Sequence, residues 1–164
     1  MESKLRIGIG YDIHPLVKKR RLVLGGVVIP FNKGLSGWSD ADVLTHAVID
    51  ALLGAAALGD IGSHFPPGEA EYKEISSLVL LEEVKDKLTA EGWRINNIDA
   101  TVITEQPKLA EFISQMRRSL SQTLGIEVGQ VSVKASTSAK LGFIGRGEGI
   151  AARAVALIES NSNE

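Results

Sequence analysis

The stretch from Trp38 to Gly62 constrains this chain most, because a polar loop there becomes a long apolar helix that still carries three polar side chains. Ser39 followed by Asp42 reads as a variant capping box, which starts the helix at Asp40 or Ala41. Val43, Leu44, Ala47, Val48, Ala51, Leu52 and Ala55 then recur at helical spacing and form a wide apolar face. Asp42, His46 and Asp50 fall at i, i+4 and i+8, so they share one narrow polar stripe. Taken alone, His46 is a core histidine satisfied by Asp50. A second constellation changes its weight.

Leu5 to Tyr11 alternates as a strand, with Ile7 and Ile9 on one face, and delivers Asp12-Ile13-His14. A period of two puts Asp12 and His14 on the same side, where a carboxylate and an imidazole make half of a metal site. Asp-x-His by itself is weak, since chance produces it often. The chain has 164 residues and no cysteine, which excludes disulfides and thiolate sites. Any transition metal must therefore use His and carboxylates. Two His and one Asp with an open fourth position suit a catalytic zinc.

Leu22 to Leu24 and Val27 to Ile29, separated by Gly25-Gly26, read as a β-hairpin. Pro30 to Gly34 ends that strand. After the first helix, Gly59 to Gly62 and Pro66-Pro67-Gly68 mark a long surface loop, of the kind that serves as a lid or ligand contact. His64 lies in it and reads as solvated. A second helix is expected over Tyr72 to Glu91, with Ile75, Leu78, Val79, Leu81 (or Leu80), Val84 and Leu88 inward and Gly92 as its stop. Arg94 to Thr104 reads as a strand with Ile98, Ala100 and Val102 on one face, closed by Pro107. A third helix spans Leu109 to Leu124 and ends at Gly125. Strands at Val131 to Ala135 and Ile150 to Ile158 bracket a Ser/Thr cluster and a glycine-rich turn. That order predicts an α+β sandwich, with helices layered on one side of a mixed sheet. A single domain is expected over residues 1–159, with 160–164 a disordered tail.

Net charge is −2, so no electrostatic footprint for nucleic acid exists, and Lys18-Lys19-Arg20-Arg21 reads as a solvated loop. Residues 41 to 59 are apolar but carry Asp42, His46 and Asp50, which argues against a membrane span. The first residues lack the apolar core of a signal peptide, so a cytoplasmic location is expected.

Ser136-Thr137-Ser138 and Gly145-Arg146-Gly147-Glu148-Gly149 offer hydroxyls, backbone N–H groups and a guanidinium suited to phosphate oxygens. With the Asp/His/His set, they point to metal-assisted phosphoryl chemistry. The motifs Ile-Gly-Ile-Gly-Tyr-Asp-Ile-His (7–14), Ser-Asp-Ala-Asp-Val-Leu-Thr-His (39–46) and Asp-Ala-Leu-Leu-Gly-Ala-Ala-Ala-Leu-Gly-Asp-Ile-Gly (50–62) are long and specific. Together with Pro107-Lys108, Lys134-Ala135 and the run from Lys140 to Gly149, they make the chain resemble the 2-C-methyl-D-erythritol 2,4-cyclodiphosphate synthase family of the non-mevalonate isoprenoid pathway. The resemblance covers essentially the whole chain.

The resemblance implies a homotrimer with active sites between neighbouring subunits. It implies that Asp12, His14 and His46 hold a divalent metal, zinc by type, that Asp60, Ile61, Gly62 and Phe65 receive the methylerythritol end, and that Ser39 also contacts the substrate. Thr104, Pro107, Lys108, Leu109 and Ala110 would hold the cytidine base of a cytidine-diphosphate substrate. Ser136, Thr137 and Ser138 would meet the diphosphate, with Thr137 and the family-His position at Trp38 the catalytic positions, and magnesium or manganese would travel with it. Phe143 and Arg146 would line the site or the trimer axis, where an isoprenoid diphosphate would fit the cavity. The implied activity is that of a phosphorus-oxygen lyase.

Two positions depart from the family pattern: Trp38 stands where the family has His, and Ala139 where it has a Glu that contacts a second divalent ion. Trp38 keeps one indole N–H that could reach a phosphate, and Ala139 offers no ligand at all. The alternative reading is therefore a non-catalytic or impaired trimeric homologue that keeps the metal and nucleotide pocket.

Overall fold

The computed structural model describes residues 4–161. Its centre is a five-stranded mixed sheet in the order β4-β1-β7-β5-β6, formed by Lys33–Leu35, Leu5–Lys18, Gly149–Ser160, Trp93–Ile103 and Val131–Ser136. β5 and β6 run parallel, and the other three pairings are antiparallel. The expected hairpin is present as a separate two-stranded sheet, β2 (Leu22–Leu24) with β3 (Val27–Ile29). The helices are α1 (Val43–Ala55), α2 (Ile61–His64), α3 (Ser77–Ala90), α4 (Ile113–Leu124) and α5 (Gly142–Gly145). Among the described residues, no helix is long and apolar enough to cross a membrane.

The longer helices pack on one face of the sheet, as the sequence order predicts, but β1 meets them in an unusual way. Its helix-facing residues include Gly8, Gly10, Asp12 and His14, and Leu5, Ile7 and Ile9 point outward. A Cβ on Gly10 would lie 1.8 Å from the Ala47 carbonyl oxygen, and one on Gly8 would lie 2.0 Å from that of Ala51. The two glycines and the alanines of α1 therefore let helix and strand backbones approach within side-chain-free distance. That approach brings His46, on α1, opposite Asp12, on β1. Leu44, Ile49, Leu52 and Leu53 are fully buried around this contact, each contributing about 1.5–3 kcal/mol.

The outward face of the same strand is different. Leu5, Ile7, Ile9 and Tyr11 are 60%, 74%, 73% and 48% exposed, and Val155 of the neighbouring β7 is 48% exposed. A contiguous apolar strip of this kind marks an interaction surface.

Several element boundaries differ from expectation. α1 begins at Val43, not at Asp40 or Ala41, because Ala41 takes a positive φ of 55° and Asp42 is the cap, accepting from the Thr45 N–H at 3.0 Å. Ser39 does not complete a capping box: its hydroxyl accepts the Ala41 N–H. The loop expected after α1 contains α2, capped by Asp60, whose carboxylate accepts the Ser63 N–H and hydroxyl. α3 starts at Ser77, five residues later than the expected Tyr72. Its inward residues include Leu80, Leu81, Val84 and Leu88, whereas Val79 is 45% exposed. The end of the chain is ordered further than expected: Ser160 closes β7 and the Asn161 N–H donates to the Gly92 carbonyl. Residues 162–164 of the expected tail lie outside the described residues.

Candidate active site

Asp12, His14 and His46 converge as the sequence predicts. Asp12 Oδ2 lies 2.9 Å from His14 Nε2 and 3.0 Å from His46 Nδ1. One ligand atom from each residue falls within 4.8 Å of the others. Among the described residues, this is the one group of three His, Cys, Asp or Glu side chains that could hold a metal ion. His46 is not satisfied by Asp50. Asp50 instead accepts the Ile61 N–H at 2.8 Å, which ties α2 to α1.

The donor set fits a metal on a specific ground. His14 Nδ1 sits 2.9 Å from the Ser36 carbonyl oxygen, which can only accept, so Nδ1 carries the hydrogen. Nε2 is then a bare donor atom. It is buried and has no hydrogen-bond partner, since its approach to Asp12 is close in distance but outside hydrogen-bond geometry. An orphaned buried nitrogen aimed at a carboxylate is what a cation would satisfy.

The electrostatics agree. Burial pushes the Asp12 carboxyl up, but the two imidazoles facing it, His14 and His46, bring it down to about 2. Burial opposes charge on His46, and the facing Asp12 carboxylate overrides this and raises its pKa. Asp12 is thus an anion poised beside two imidazoles.

Asp42 has a different task from the one its place on the polar stripe suggested. Fully buried, it accepts the N–H groups of Gly25 (2.9 Å), Gly26 (2.7 Å) and Thr45, and the Thr45 hydroxyl. It caps α1 and clamps the hairpin turn to it. Burial and the nearby Asp40 raise its pKa despite those donors.

Around Asp12, His14 and His46, which line it, opens a cleft of about 210 Å³, bounded also by Trp38, Ser39, Ile61, Gly62, Phe65, Pro67, Tyr72 and Leu80. Phe65 and Tyr72 meet edge to face with centroids 5.6 Å apart. The indole N–H of Trp38 donates to the Glu69 carbonyl at 2.9 Å. It is therefore not free for a phosphate, contrary to the sequence expectation; Trp38 straps the 65–75 segment across the cleft mouth. Asp60 lies beside α2, fully exposed, its pKa lowered by the Ser63 hydroxyl and N–H.

A second pocket, of about 230 Å³, is lined by Thr104, Glu105, Pro107, Lys108, Leu109, Ala110, Ala135, Ser136 and Thr137. It shares no lining residue with the first. Thr104 is buried and its hydroxyl donates to the Gln106 carbonyl. The hydroxyl of Ser138 donates to the Leu141 carbonyl. Glu105, which sequence reasoning passed over, accepts the N–H groups of Ser138 (2.7 Å) and Lys140 (3.2 Å), gripping the turn on both sides of Ala139. Ser138, Phe143 and Arg146 line neither pocket; Phe143 is 46% exposed, and Arg146 pairs with Glu148 at 3.1 Å on the surface.

The fold and this cleft define a small α+β protein with a carboxylate-and-imidazole centre that could hold a metal ion. The YgbB family model matches residues 5–159, and the chain belongs to that family. It is 57% identical over 155 residues to the 2-C-methyl-D-erythritol 2,4-cyclodiphosphate synthase of Desulforamulus reducens, covering 94% of this chain and 99% of that one. Among solved structures, it matches the bifunctional IspDF from Campylobacter jejuni with a TM-score of 0.94 at 39% identity, over 97% of this chain and 43% of that longer one. It also matches a CDP complex of IspF from Plasmodium falciparum with a TM-score of 0.85 at 32% identity, over 99% and 100% of the two chains.

Proposed function

We propose that this chain converts 4-diphosphocytidyl-2-C-methyl-D-erythritol 2-phosphate into 2-C-methyl-D-erythritol 2,4-cyclodiphosphate and CMP. An oxygen of the 2-phosphate bonds to the β-phosphorus, the bond from that phosphorus to the α,β-bridging oxygen breaks, and its electron pair leaves with CMP. The observation that carries this reading is the pairing, in one chain, of the Asp12/His14/His46 cleft with the Thr104–Thr137 pocket. The relatives named above support the substrate class.

The reaction needs no protein nucleophile, because the attacking phosphate is tethered to its target and positioning supplies most of the acceleration. Asp12, His14 and His46 hold a divalent ion, zinc by ligand type, which when bound neutralises charge on phosphoryl oxygens. Ser39, Asp60, Ile61, Gly62 and Phe65 receive the methylerythritol end, with Trp38 as an apolar wall. Thr104 and the residues from Pro107 to Ala110 hold the base, while Ser136, Thr137 and Ser138 face the diphosphate and Thr137 steadies the transition state. The two pockets belong to one site shared by neighbouring subunits of a trimer, with Phe143 and Arg146 toward its axis. The non-catalytic alternative is not favoured, since the metal-ligand set and Thr137 are complete.

Turnover tests this directly. Purified protein with zinc and magnesium is expected to release CMP and the cyclic diphosphate in equal amounts, and CMP release without the cyclic product would mean simple hydrolysis. If backbone groups around Thr104 to Ala110 read cytosine, adenosine diphosphate leaves buried groups unpaired, at about 1–3 kcal/mol each. Its affinity should fall about tenfold or more below that of cytidine diphosphate; equal affinities contradict the base assignment.

Ala139 carries a separate expectation. Magnesium keeps most of its waters and relies on one or two carboxylates plus substrate phosphates, so the missing carboxylate weakens that second ion without abolishing it. An exposed carboxylate–cation contact is worth about 0.5–1 kcal/mol, and Ala139→Glu should lower the magnesium needed for half-maximal rate about two- to fivefold. Zinc content should not change. Overlapping magnesium titrations would mean that a carboxylate already present, with Glu105 nearest that turn, serves the ion.

A further inference from the structure

The side of His46 turned away from Asp12 is as ordered as the side turned toward it. Nε2 lies 2.8 Å from the hydroxyl oxygen of Ser77, a fully buried residue at the start of α3. Ser77 in turn donates its hydroxyl hydrogen in a short bond to Asp40 Oδ1, and its N–H donates to Asp40 Oδ2 at 2.9 Å. Asp40 Oδ1 also accepts the Asp42 N–H at 3.1 Å. Each of these three partners of the Asp40 carboxylate is a donor.

Direction follows from donor counting. A serine has one hydroxyl hydrogen, and an ionised carboxylate can only accept it. Once that hydrogen is given to Asp40, the Ser77 oxygen can only accept from His46. Nε2 must then carry a hydrogen, and a neutral His46 keeps its lone pair on Nδ1, the atom 3.0 Å from Asp12 Oδ2. The Ser39 hydroxyl oxygen also lies near Nε2, at the longer distance of 3.2 Å; it accepts the Ala41 N–H and keeps a second lone pair for an Nε2 hydrogen, whereas a bare Nε2 would face the Ser77 lone pairs at 2.8 Å.

We propose that Ser77 and Asp40 are positioning residues for His46, fixing Nε2 as its hydrogen-bearing nitrogen so that Nδ1 is the atom offered to a metal. This rests on the reading of Asp12, His14 and His46 as ligands and extends it to two residues that touch neither ion nor substrate. Asp40 is suited to the task as an acid and not as an amide, because both of its oxygens accept N–H or O–H groups. An Asn there must turn an NH₂ toward a donor.

The test is zinc affinity, measured by competition with a chelator, for wild type, Ser77→Ala and Asp40→Asn. Loss of an outer partner of a metal-bound histidine weakens binding about 10- to 100-fold, and both variants are expected in that range. ¹H–¹⁵N NMR of the zinc-loaded protein supplies an independent signature. Wild type should show a slowly exchanging His46 Nε2–H, and Ser77→Ala, with an otherwise native spectrum, should lose it. Folded Ser77→Ala and Asp40→Asn that bind zinc as tightly as wild type would overturn this inference alone, as would a zinc-bound Nε2 lacking hydrogen. A wild-type protein that takes up no zinc would overturn the ligand reading beneath it.

Discussion

Replacing His46 with Ala is expected to strip zinc from the protein and lower turnover by about three orders of magnitude. His46 is 8% exposed and faces Asp12 beside the close approach of α1 and β1, and no other described His, Cys, Asp or Glu joins the group. Asp12 and His14 alone leave two donors, one short of the three protein ligands of a catalytic zinc site. Metal stabilisation of phosphoryl charge is worth several kcal/mol, and about 4 kcal/mol corresponds to a thousandfold in rate. Elemental analysis of folded His46→Ala at full zinc occupancy would show that the ligand set is wrong. The same residues set a pH dependence in the metal-free protein. The lowered pKa of Asp12 gives stability that is present above its unfolded value of 3.8 and lost as pH falls toward about 2. The raised pKa of His46 gives stability that is full below its unfolded value of 6.5 and lost as pH rises through the folded one. On the proposed ligand assignment, zinc would take the place of the proton on His46, so the gain in melting temperature on adding zinc should grow from mildly acidic to mildly alkaline buffer.

That constellation was legible because two simple periods sufficed to find it. Asp12 and His14 follow from the alternation of a strand, and His46 from its place in a helix whose apolar face is unmistakable. What could not be read was which polar neighbour each residue would meet, since that depends on contacts between segments distant in sequence. Asp50 stood one helical turn from His46, yet the partner of His46 came from a strand 34 residues earlier. Asp42 looked like part of the same polar stripe and instead holds the hairpin turn at Gly25 and Gly26. Ser77 carried no local signal at all, being one serine of a pair before an amphipathic run. The late start of α3 has the same origin: Ile75 and Ser77 are held by Asp40, so the backbone there serves the 38–42 loop before it can begin a helix. The glycines of β1 were visible as residues but not as a helix seat, because alternation alone does not say which face turns inward.

Turning Ile7 and Ile9 into Glu should break the proposed trimer and lower turnover about 100-fold or more without changing zinc uptake at the proposed ligands. These side chains are 74% and 73% exposed in the single chain and stand on the face of β1 opposite Gly8, Gly10, Asp12 and His14. A substitution there points away from the α1 contact, so the ligands keep their positions. Burying each isoleucine between subunits would contribute about 1.5–3 kcal/mol. A glutamate in the same place would have to be desolvated without a partner or neutralised. The consequence for turnover comes from the two pockets, which share no residue. If one subunit's cleft works with its neighbour's Thr104–Thr137 pocket, separating them leaves each substrate end held by only one half. Misplacement of as little as 1 Å can cost about 100-fold in a reaction that relies on positioning. Light scattering at micromolar concentration should give three times the chain mass for wild type and one for the double variant, with equal zinc per chain. A monomeric wild type would refute the assembly, and a monomeric variant with undiminished turnover would show that both pockets serve one substrate within a single chain.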